Sequence, residues 1–197
     1  MPRFSEQEKE MIKNKLFEEG ERLFTAYGIK KVSIDELVQA AGIAKGSFYS
    51  FYPSKEHLFM EIAIAVQNRM WVEMEGFLQA HSDLPSRELM KQTFLWMVEQ
   101  FEHYPLIRKL DNETTDYLFR KLPKEVVEAH TRDDGEELLK LQKYGIHFTC
   151  NIPTAAKIMQ IVALSFFNLS HEDEVTRTIV INIILDGVLK EIVSDEK

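Results

Sequence analysis

A chain of 197 residues with 45% apolar content is long enough for one domain, or for a small domain joined to a medium one, around a packed core. A single cysteine, Cys150, excludes an intramolecular disulfide. The N-terminal MPRFSEQEKE lacks an apolar signal region, and no apolar run approaches the roughly 18 to 20 residues that a spanning helix needs. The expectation is a cytoplasmic protein without a membrane segment, with Cys150 a small buried hydrophobe rather than a redox sensor. The net charge of −8 speaks against a nucleic-acid partner unless it is unevenly placed, and it is uneven: residues 1–58 hold nine Lys or Arg and nine Asp or Glu, so the acidic excess falls on the rest. A neutral head on an acidic body is compatible with DNA binding if the positive groups share one face. Lys30, Lys31, Lys45 and Lys55 are the candidates, and four solvated lysines are the alternative.

A first helix is predicted from Glu6 to Tyr27. Ser5 with Glu8 three residues on makes a capping box, and Ile12, Leu16, Gly20, Leu23 and Tyr27 form one stripe with Phe17 and Phe24 beside it. Gly20 disfavours a helix interior by roughly 1 kcal/mol relative to Ala, which points to tight packing against a neighbour. Gly28 is placed to end the helix as a left-handed residue. Ser33 and Glu36 form a second capping box, opening a helix whose apolar residues Ile34, Leu37, Val38 and Ala41 recur at helical spacing until Gly42. A further short helix over Lys45 to Phe51 turns Phe48 and Tyr52 to one side, leaving Lys45, Ser47, Tyr49 and Ser50 to face elsewhere. Two short helices around a glycine turn suit a helix-turn-helix, whose second helix fits the major groove of DNA. A purely structural helix pair is the other reading, because the spacing alone is common.

Residues in many positions carry a resemblance beyond spacing. Leu23-Phe24 before Gly28, Ser33, Ala41-Gly42-Ile43, Gly46-Ser47-Phe48-Tyr49 and Ser54-Lys55-Glu56 before Leu58 resemble the pattern of the TetR family of transcriptional regulators, over roughly the first 58 residues. The resemblance implies an all-α protein with a three-helix DNA-binding head, residues 1–58, and a larger helical bundle, residues 59–197, that binds a ligand and dimerises. It assigns DNA contacts to Ser33, Lys45, Gly46, Ser47, Tyr49, Ser50 and Lys55, with Tyr49 against the sugar-phosphate backbone and Phe48 and Tyr52 kept for the core. Ala44 and Phe51 depart from the pattern, removing a cap and a polar-capable side chain and leaving the detailed contact set open. Pro53-Ser54 is expected to end the third helix, with Ser54 capping the next and Lys55 at its mouth.

A long helix is predicted from Lys55 to about Ala80 with contacts on several sides, followed by a loop through Pro85. Arg87 to His103 is apolar on more than one face and is interrupted by Tyr104-Pro105. Apolar residues continue through Leu106, Tyr117, Leu122, Val126, Val127, Leu138 and Phe148. Aromatic and methionine side chains at this density either fill a core or line a pocket for an apolar or amphipathic effector. The pocket, implied mainly by the resemblance, is assigned to Phe94, Met97, Phe101, Tyr104, Tyr117, Phe148 and Phe166.

Two final helices are predicted over Thr154 to Leu169 and about Glu174 to Val193, bounded by Pro153 and His171-Glu172-Asp173. The β-branched residues around Asp186-Gly187 suit a hairpin, but Thr178, Asn182, Asp186 and Lys190 recur every four residues, as one polar stripe on a helix otherwise apolar almost all round. Two such helix pairs about a two-fold axis make a four-helix dimer interface, here assigned to Ile158, Ile161, Val162, Ser165, Ile179, Ile183, Ile184, Gly187 and Val188. A core helix pair within a monomer is the alternative. The six histidines, His57, His81, His103, His130, His147 and His171, show no metal-ligand spacing, and no phosphate loop or nucleophile elbow is present. No metal, cofactor or catalytic residue is expected. The reading is a homodimeric, ligand-responsive repressor of a palindromic double-stranded DNA operator; a ligand-binding or scaffolding dimer without DNA recognition and an all-α enzyme are the rivals.

Overall fold

The computed structural model describes residues 4–101, 103–126, 138–169 and 172–195. The fold is all-α: α1 spans Glu6–Tyr27, α2 Ile34–Ala41, α3 Lys45–Phe48, α4 Lys55–Ala80, α5 Ser86–Gln100, α6 Asn112–Lys121, α7 Ile152–Asn168 and α8 Glu174–Ile192, with 3-10 turns at Ile107–Lys109 and Leu141–Tyr144. Extended pairing among the described residues is confined to one bridge, Phe148 with Val193. Two compact units form, Met1–Met70 with Phe101–Val127, and Trp71–Gln100 with Glu128–Lys197. Helix α4 crosses residue 58 without interruption and contributes to both units. Val127, His130 and His171 lie outside the described residues.

In the first unit both predicted capping boxes form, at Ser5 with Glu8 and at Ser33 with Glu36. Leu16, Leu23 and Phe24 of α1 are buried, and the Phe24 ring meets Phe59 of α4 edge-on at 5.2 Å. The expected stripe needs one correction: Tyr27 is 58% exposed. The chain turns at Gly28, and Ile29 and Val32 fill the core where an extended stripe would have put Tyr27. Gly28 has φ 77° and ψ 155°, a positive φ suited to glycine but not the left-handed cap that was expected; Gly42, at φ 72° and ψ 32°, is such a cap. A Cβ on Gly20 would stand 2.8 Å from Ile62 Cδ1 and 3.2 Å from Leu58 Cδ2, so the missing side chain lets α1 approach α4 closely. Helix α4 buries Leu58, Phe59, Met60, Ile62, Ala63 and Val66, on more than one side as its pattern predicts. Leu106, Leu118 and Leu122 belong to the same core, which brings α6 into the unit of the head.

In the second unit α5 buries Leu89, Met90, Phe94 and Val98, and α7 buries Ala155, Met159 and Val162. Helix α7 starts at Ile152, so Pro153 lies in its first turn, where its missing N–H has no intrahelical acceptor to serve. Helix α8, apolar almost all round, is buried within its own chain along one line only. Its buried line is Ile181, Leu185, Leu189 and Ile192, while Val175, Ile179 and Ile183 are 68%, 54% and 68% exposed. Within one chain the helix has only one side to pack, so apolar residues flanking the polar stripe remain uncovered. The stripe itself is tied in at Asp186, which accepts from Lys91 Nζ of α5 at 2.6 Å. The end of the chain is anchored too: Ser194 N donates to His147 O, Thr149 N to Ile192 O and Arg87 Nε to Val193 O, each at 2.9 Å.

Candidate nucleic-acid interface

The helix-turn-helix is positioned by three packing and capping devices. Phe48, fully buried, and Tyr52, 3% exposed, plug α3 into the core with their rings 6.0 Å apart. Gly42 reverses the chain after α2, its N–H donating to carbonyls of Val38 and Gln39. At the start of α2, Glu36 N donates to Ser33 Oγ at 3.2 Å, while Glu36 Oε2 accepts from Ser33 N at 2.8 Å and from its hydroxyl at 2.7 Å. The backbone hydrogen bond from Ser33, then that from its hydroxyl, lowers the pKa of the Glu36 carboxyl. The Ser33 hydroxyl proton is therefore engaged inside the box.

Helix α3 is shorter than the predicted Lys45 to Phe51. It has one turn, ending at Phe48, after which Ser50 N bonds to Ser47 O and Phe51 N to Phe48 O in tightened turns. Pro53 bars continuation past Tyr52, because it has no N–H and disfavours α geometry in the residue before it, and the tightened turns end the helix before that point. Ala44 occupies the N-cap without a side-chain bond, as its departure from the family pattern predicts. Lys45, Gly46, Tyr49 and Ser50 are exposed and Ser47 is half-buried. Tyr49 meets Phe48 edge-on at 5.6 Å while 55% of it stays open to solvent. A Cβ on Gly46 would meet nothing within 4 Å, so the position is kept open rather than packed. Ala44, Gly46, Ser47, Ser50 and Phe51 form one wall of a cleft of about 830 Å³, faced by Phe4, Lys9 and Lys13 among others. Phe51 is a packing residue here, its ring 6.5 Å from that of Phe4.

Two assigned residues hold the chain together. Lys55 Nζ donates to Ile29 O at 2.7 Å and Val32 O at 2.6 Å, fastening the loop between α1 and α2 to the start of α4. Its burial lowers the ammonium pKa, opposed by the carboxylates of Glu56 and Glu36. The expectation of Lys55 as a free phosphate clamp is corrected to that extent: two of its three protons are engaged inside the head. The Ser54 hydroxyl, expected as a cap, stands 3.0 Å from His57 Nδ1. Beside them Glu56, 7% exposed, accepts from Tyr117 Oη at 2.6 Å. Burial would raise the Glu56 pKa, but the Tyr117 and Ser54 hydrogen bonds outweigh it and the net shift is downward. Burial and the same carboxylate push the Tyr117 phenol up to about 12.

The neutrality of the head is local as well as total. Lys45 Nζ lies 2.9 Å from Asp35 Oδ2, Lys13 Nζ 2.9 Å from Glu61, Lys9 Nζ 2.7 Å from Glu6 and Lys30 Nζ 2.5 Å from Glu113. Sequence reading did not find these partners: apart from Glu6 and Lys9, three apart on α1, the pairs are separated by ten residues, as Asp35 and Lys45 are, or by many more, which leaves no periodic signal.

The seven residues assigned to a ligand pocket are divided between the units: Phe101, Tyr104 and Tyr117 fall in the first, and Phe94, Met97, Phe148 and Phe166 in the second. Phe94 and Phe101 are buried, and Tyr104 lines a cleft of about 640 Å³ with Arg22, Arg69 and His103. Among the described residues no cluster of three or more His, Cys, Asp or Glu is arranged to hold a metal, and no helix is long and apolar enough to cross a membrane. Of the residues assigned to dimerisation, Ile161, Ile179 and Ile183 are exposed, as is Gly187. Ile158, Ser165, Ile184 and Val188 are half-buried, and Val162, only 4% exposed, faces the core of its own unit. Val175 was missed and is as exposed as Ile183.

Residues 16–62 match the family model described as bacterial regulatory proteins, tetR family. An uncharacterized HTH-type transcriptional regulator, YhgD of Bacillus subtilis, is 25% identical over 104 residues, 53% of each chain. The HTH-type transcriptional repressor Rv1474c of Mycobacterium tuberculosis is 26% identical over 115 residues, 57% of this chain and 58% of that one. These matches thus span little more than half the length of either relative. A crystal structure of a putative TetR-family transcriptional regulator from Mesorhizobium loti shares the fold with a TM-score of 0.65 at 14% identity, over 93% of this chain and 97% of the other. The head therefore matches the tetR-family model over residues 16–62, and the fold of the chain is shared with the Mesorhizobium loti protein along nearly its whole length.

Proposed function

We propose that the chain is a DNA-binding transcriptional regulator, a repressor that reads a palindromic operator as a homodimer. The observation that carries this is the division of labour within α3 and the turn after it. Phe48 and Tyr52 are spent on the core, while Lys45, Ser47, Tyr49 and Ser50 are left at the surface beside an open Gly46. In the major groove Lys45 can donate to a guanine edge, Ser47 and Ser50 can bond to bases or phosphates, and Tyr49 can hold the backbone. The third proton of Lys55 is a secondary phosphate contact in this reading, and Ser33 becomes one when its hydroxyl turns from Glu36 to the phosphate. The functional division is a DNA-binding domain over 1–58 and a ligand-binding and dimerisation domain over 59–197. The repressor sense is that of the relative Rv1474c.

The partner copy is supported by exposed apolar residues on the last two helices. Ile179 and Ile183 lie one turn apart on α8, and Ile161 is open on α7. A helix-turn-helix needs two copies to occupy half-sites about 34 Å apart on the duplex. An apolar or amphipathic effector taken up by the body, through side chains such as Phe94, Met97, Phe148 and Phe166, would act through α4, one continuous helix. A coupling of about 1 to 3 kcal/mol between effector and operator suffices for a useful switch. The test is operator affinity of Tyr49→Ala, verified as a folded dimer. The reading expects weaker binding of every DNA sequence, and unchanged affinity would mean that α3 does not face the duplex.

A further inference from the structure

The pair formed by Asp35 and Lys45 is not the main fastening of the head, although Asp35 also sits in the first turn of α2, where an acid is favourable. Both side chains are exposed, at 69% and 57%, and their contact at 2.9 Å joins the first turn of α2 to the first residue of α3 on the open side of the helix-turn-helix. Phe48, Tyr52 and the Ser33 box already fix α2 and α3 without it. A carboxylate at this place is costly for a protein that approaches polyphosphate, since it repels the backbone and cancels the nearest cation. Such a residue is accounted for if what it suppresses is binding to the wrong sequence, because specificity is a difference of affinities and improves when the competitor is weakened more than the target.

We propose that Asp35 is a specificity-determining residue of the DNA interface, acting with Lys45 as a joined acceptor and donor that reads a G·C base pair and holds the lysine off the phosphates. The proposal rests on the DNA-binding reading above. In the major groove guanine offers O6 and N7 as acceptors and cytosine its N4 amino group as a donor, so an ammonium and a carboxylate side by side match the two edges of one pair. An A·T pair offers as many acceptors but places adenine N7 and thymine O4 on either side of the adenine N6 amino group, so the ammonium loses the two adjacent acceptors that guanine presents beside the cytosine donor. The phosphate backbone offers the carboxylate no donor at all and repels it, so Lys45 reaches a phosphate only by drawing Asp35 toward the same negative charge or by leaving it. The hydrogen bond that Lys45 donates to the Asp35 carboxylate, then the charge of that carboxylate, raises the pKa of the Lys45 ammonium, so the lysine stays charged in the physiological range.

The experiment compares the wild-type chain, Asp35→Asn, Lys45→Gln and the double variant, first by selection from a random duplex pool and then by affinity against salt on the selected and on unrelated duplexes. Asparagine keeps the size and helix-start character of Asp35, and thermal unfolding verifies the fold of each variant. The proposal expects Asp35→Asn to bind unrelated duplexes on the order of tenfold tighter, to lose discrimination at one G·C position, and to steepen the salt slope by about one unit, as one added phosphate contact does. Lys45→Gln in the same chain should remove that gain. Equal discrimination and equal salt slope in Asp35→Asn would overturn the inference while a palindrome selected by the wild type left the DNA reading standing. A wild-type chain that selects no sequence would overturn both.

Discussion

Replacing Gly20 by alanine sets two effects of known sign against each other. The gain is helix propensity, about 1 kcal/mol for Gly to Ala within a helix such as α1. Against it stands the new methyl, 2.8 Å from Ile62 Cδ1 and 3.2 Å from Leu58 Cδ2. Ile62 and Leu58 are fully buried, so neither can swing into solvent to make room. Overpacking of this kind costs about 1 to 3 kcal/mol, so the steric term prevails and Gly20→Ala should be destabilising by up to about 2 kcal/mol. Ile62→Val removes the offending methyl and alone costs about 0.5 to 1.5 kcal/mol. The double variant should then lie near the wild type, because the propensity gain survives once the clash is gone. The cycle therefore predicts a favourable coupling of about 1 to 3 kcal/mol between positions 20 and 62. The assay is urea and thermal unfolding followed by circular dichroism at fixed protomer concentration, where 1 kcal/mol corresponds to about 2 to 4 °C for a chain of this size. A Gly20→Ala variant more stable than the wild type, with no coupling to Ile62→Val, would refute the close approach of α1 and α4.

Three further outcomes follow from named contacts. Tyr117→Phe deprives the buried Glu56 carboxylate of one of its donors and should cost about 1 to 3 kcal/mol at neutral pH. Because the folded pKa of Glu56 lies below the ordinary value of 4.5, this stabilisation is present above that pH and fades as pH falls through the lowered value, so a gap between the two proteins that stayed constant into acid would contradict the assignment. Lys55→Ala strips the donor from the Ile29 and Val32 carbonyls and should lower thermal stability by about 1 to 3 kcal/mol, whereas a lysine reserved for phosphate would leave the melting temperature unchanged. Ile183→Glu adds a charge to the exposed apolar line of α8 and should convert a dimer to monomers in sedimentation velocity without unfolding the chain; a dimer that persists would place the interface elsewhere.

The head was legible because its signals are local. Ser5 with Glu8, Ser33 with Glu36, Gly42 after α2, and the pairing of Phe48 with Tyr52 each act within a few residues, and each took the predicted part. Gly20 was legible by exception, as a poor helix former that only a close neighbour explains. The length of α3 was misjudged because the turns after Phe48 tightened before Pro53 was reached. The internal bonds of Lys55 were not foreseen because its acceptors, the Ile29 and Val32 carbonyls, are backbone groups more than twenty residues away, which no side-chain pattern announces. The tie between Glu56 and Tyr117 is longer still, at a separation of 61 residues. On α8 the four-residue spacing located a helix correctly, but periodicity cannot say which of two apolar flanks the same chain will cover. Leu185 and Leu189 went inward and Ile179 and Ile183 stayed out.

The most direct measurement is selection of bound duplexes from a random pool by the purified full-length protein, with the affinity of the enriched sequence followed against salt. The account predicts a palindrome with half-sites about one helical turn apart. It also predicts an affinity that falls steeply with salt, as counterions return to the phosphates. A chain that enriches no sequence, or binds DNA without salt dependence, would contradict it.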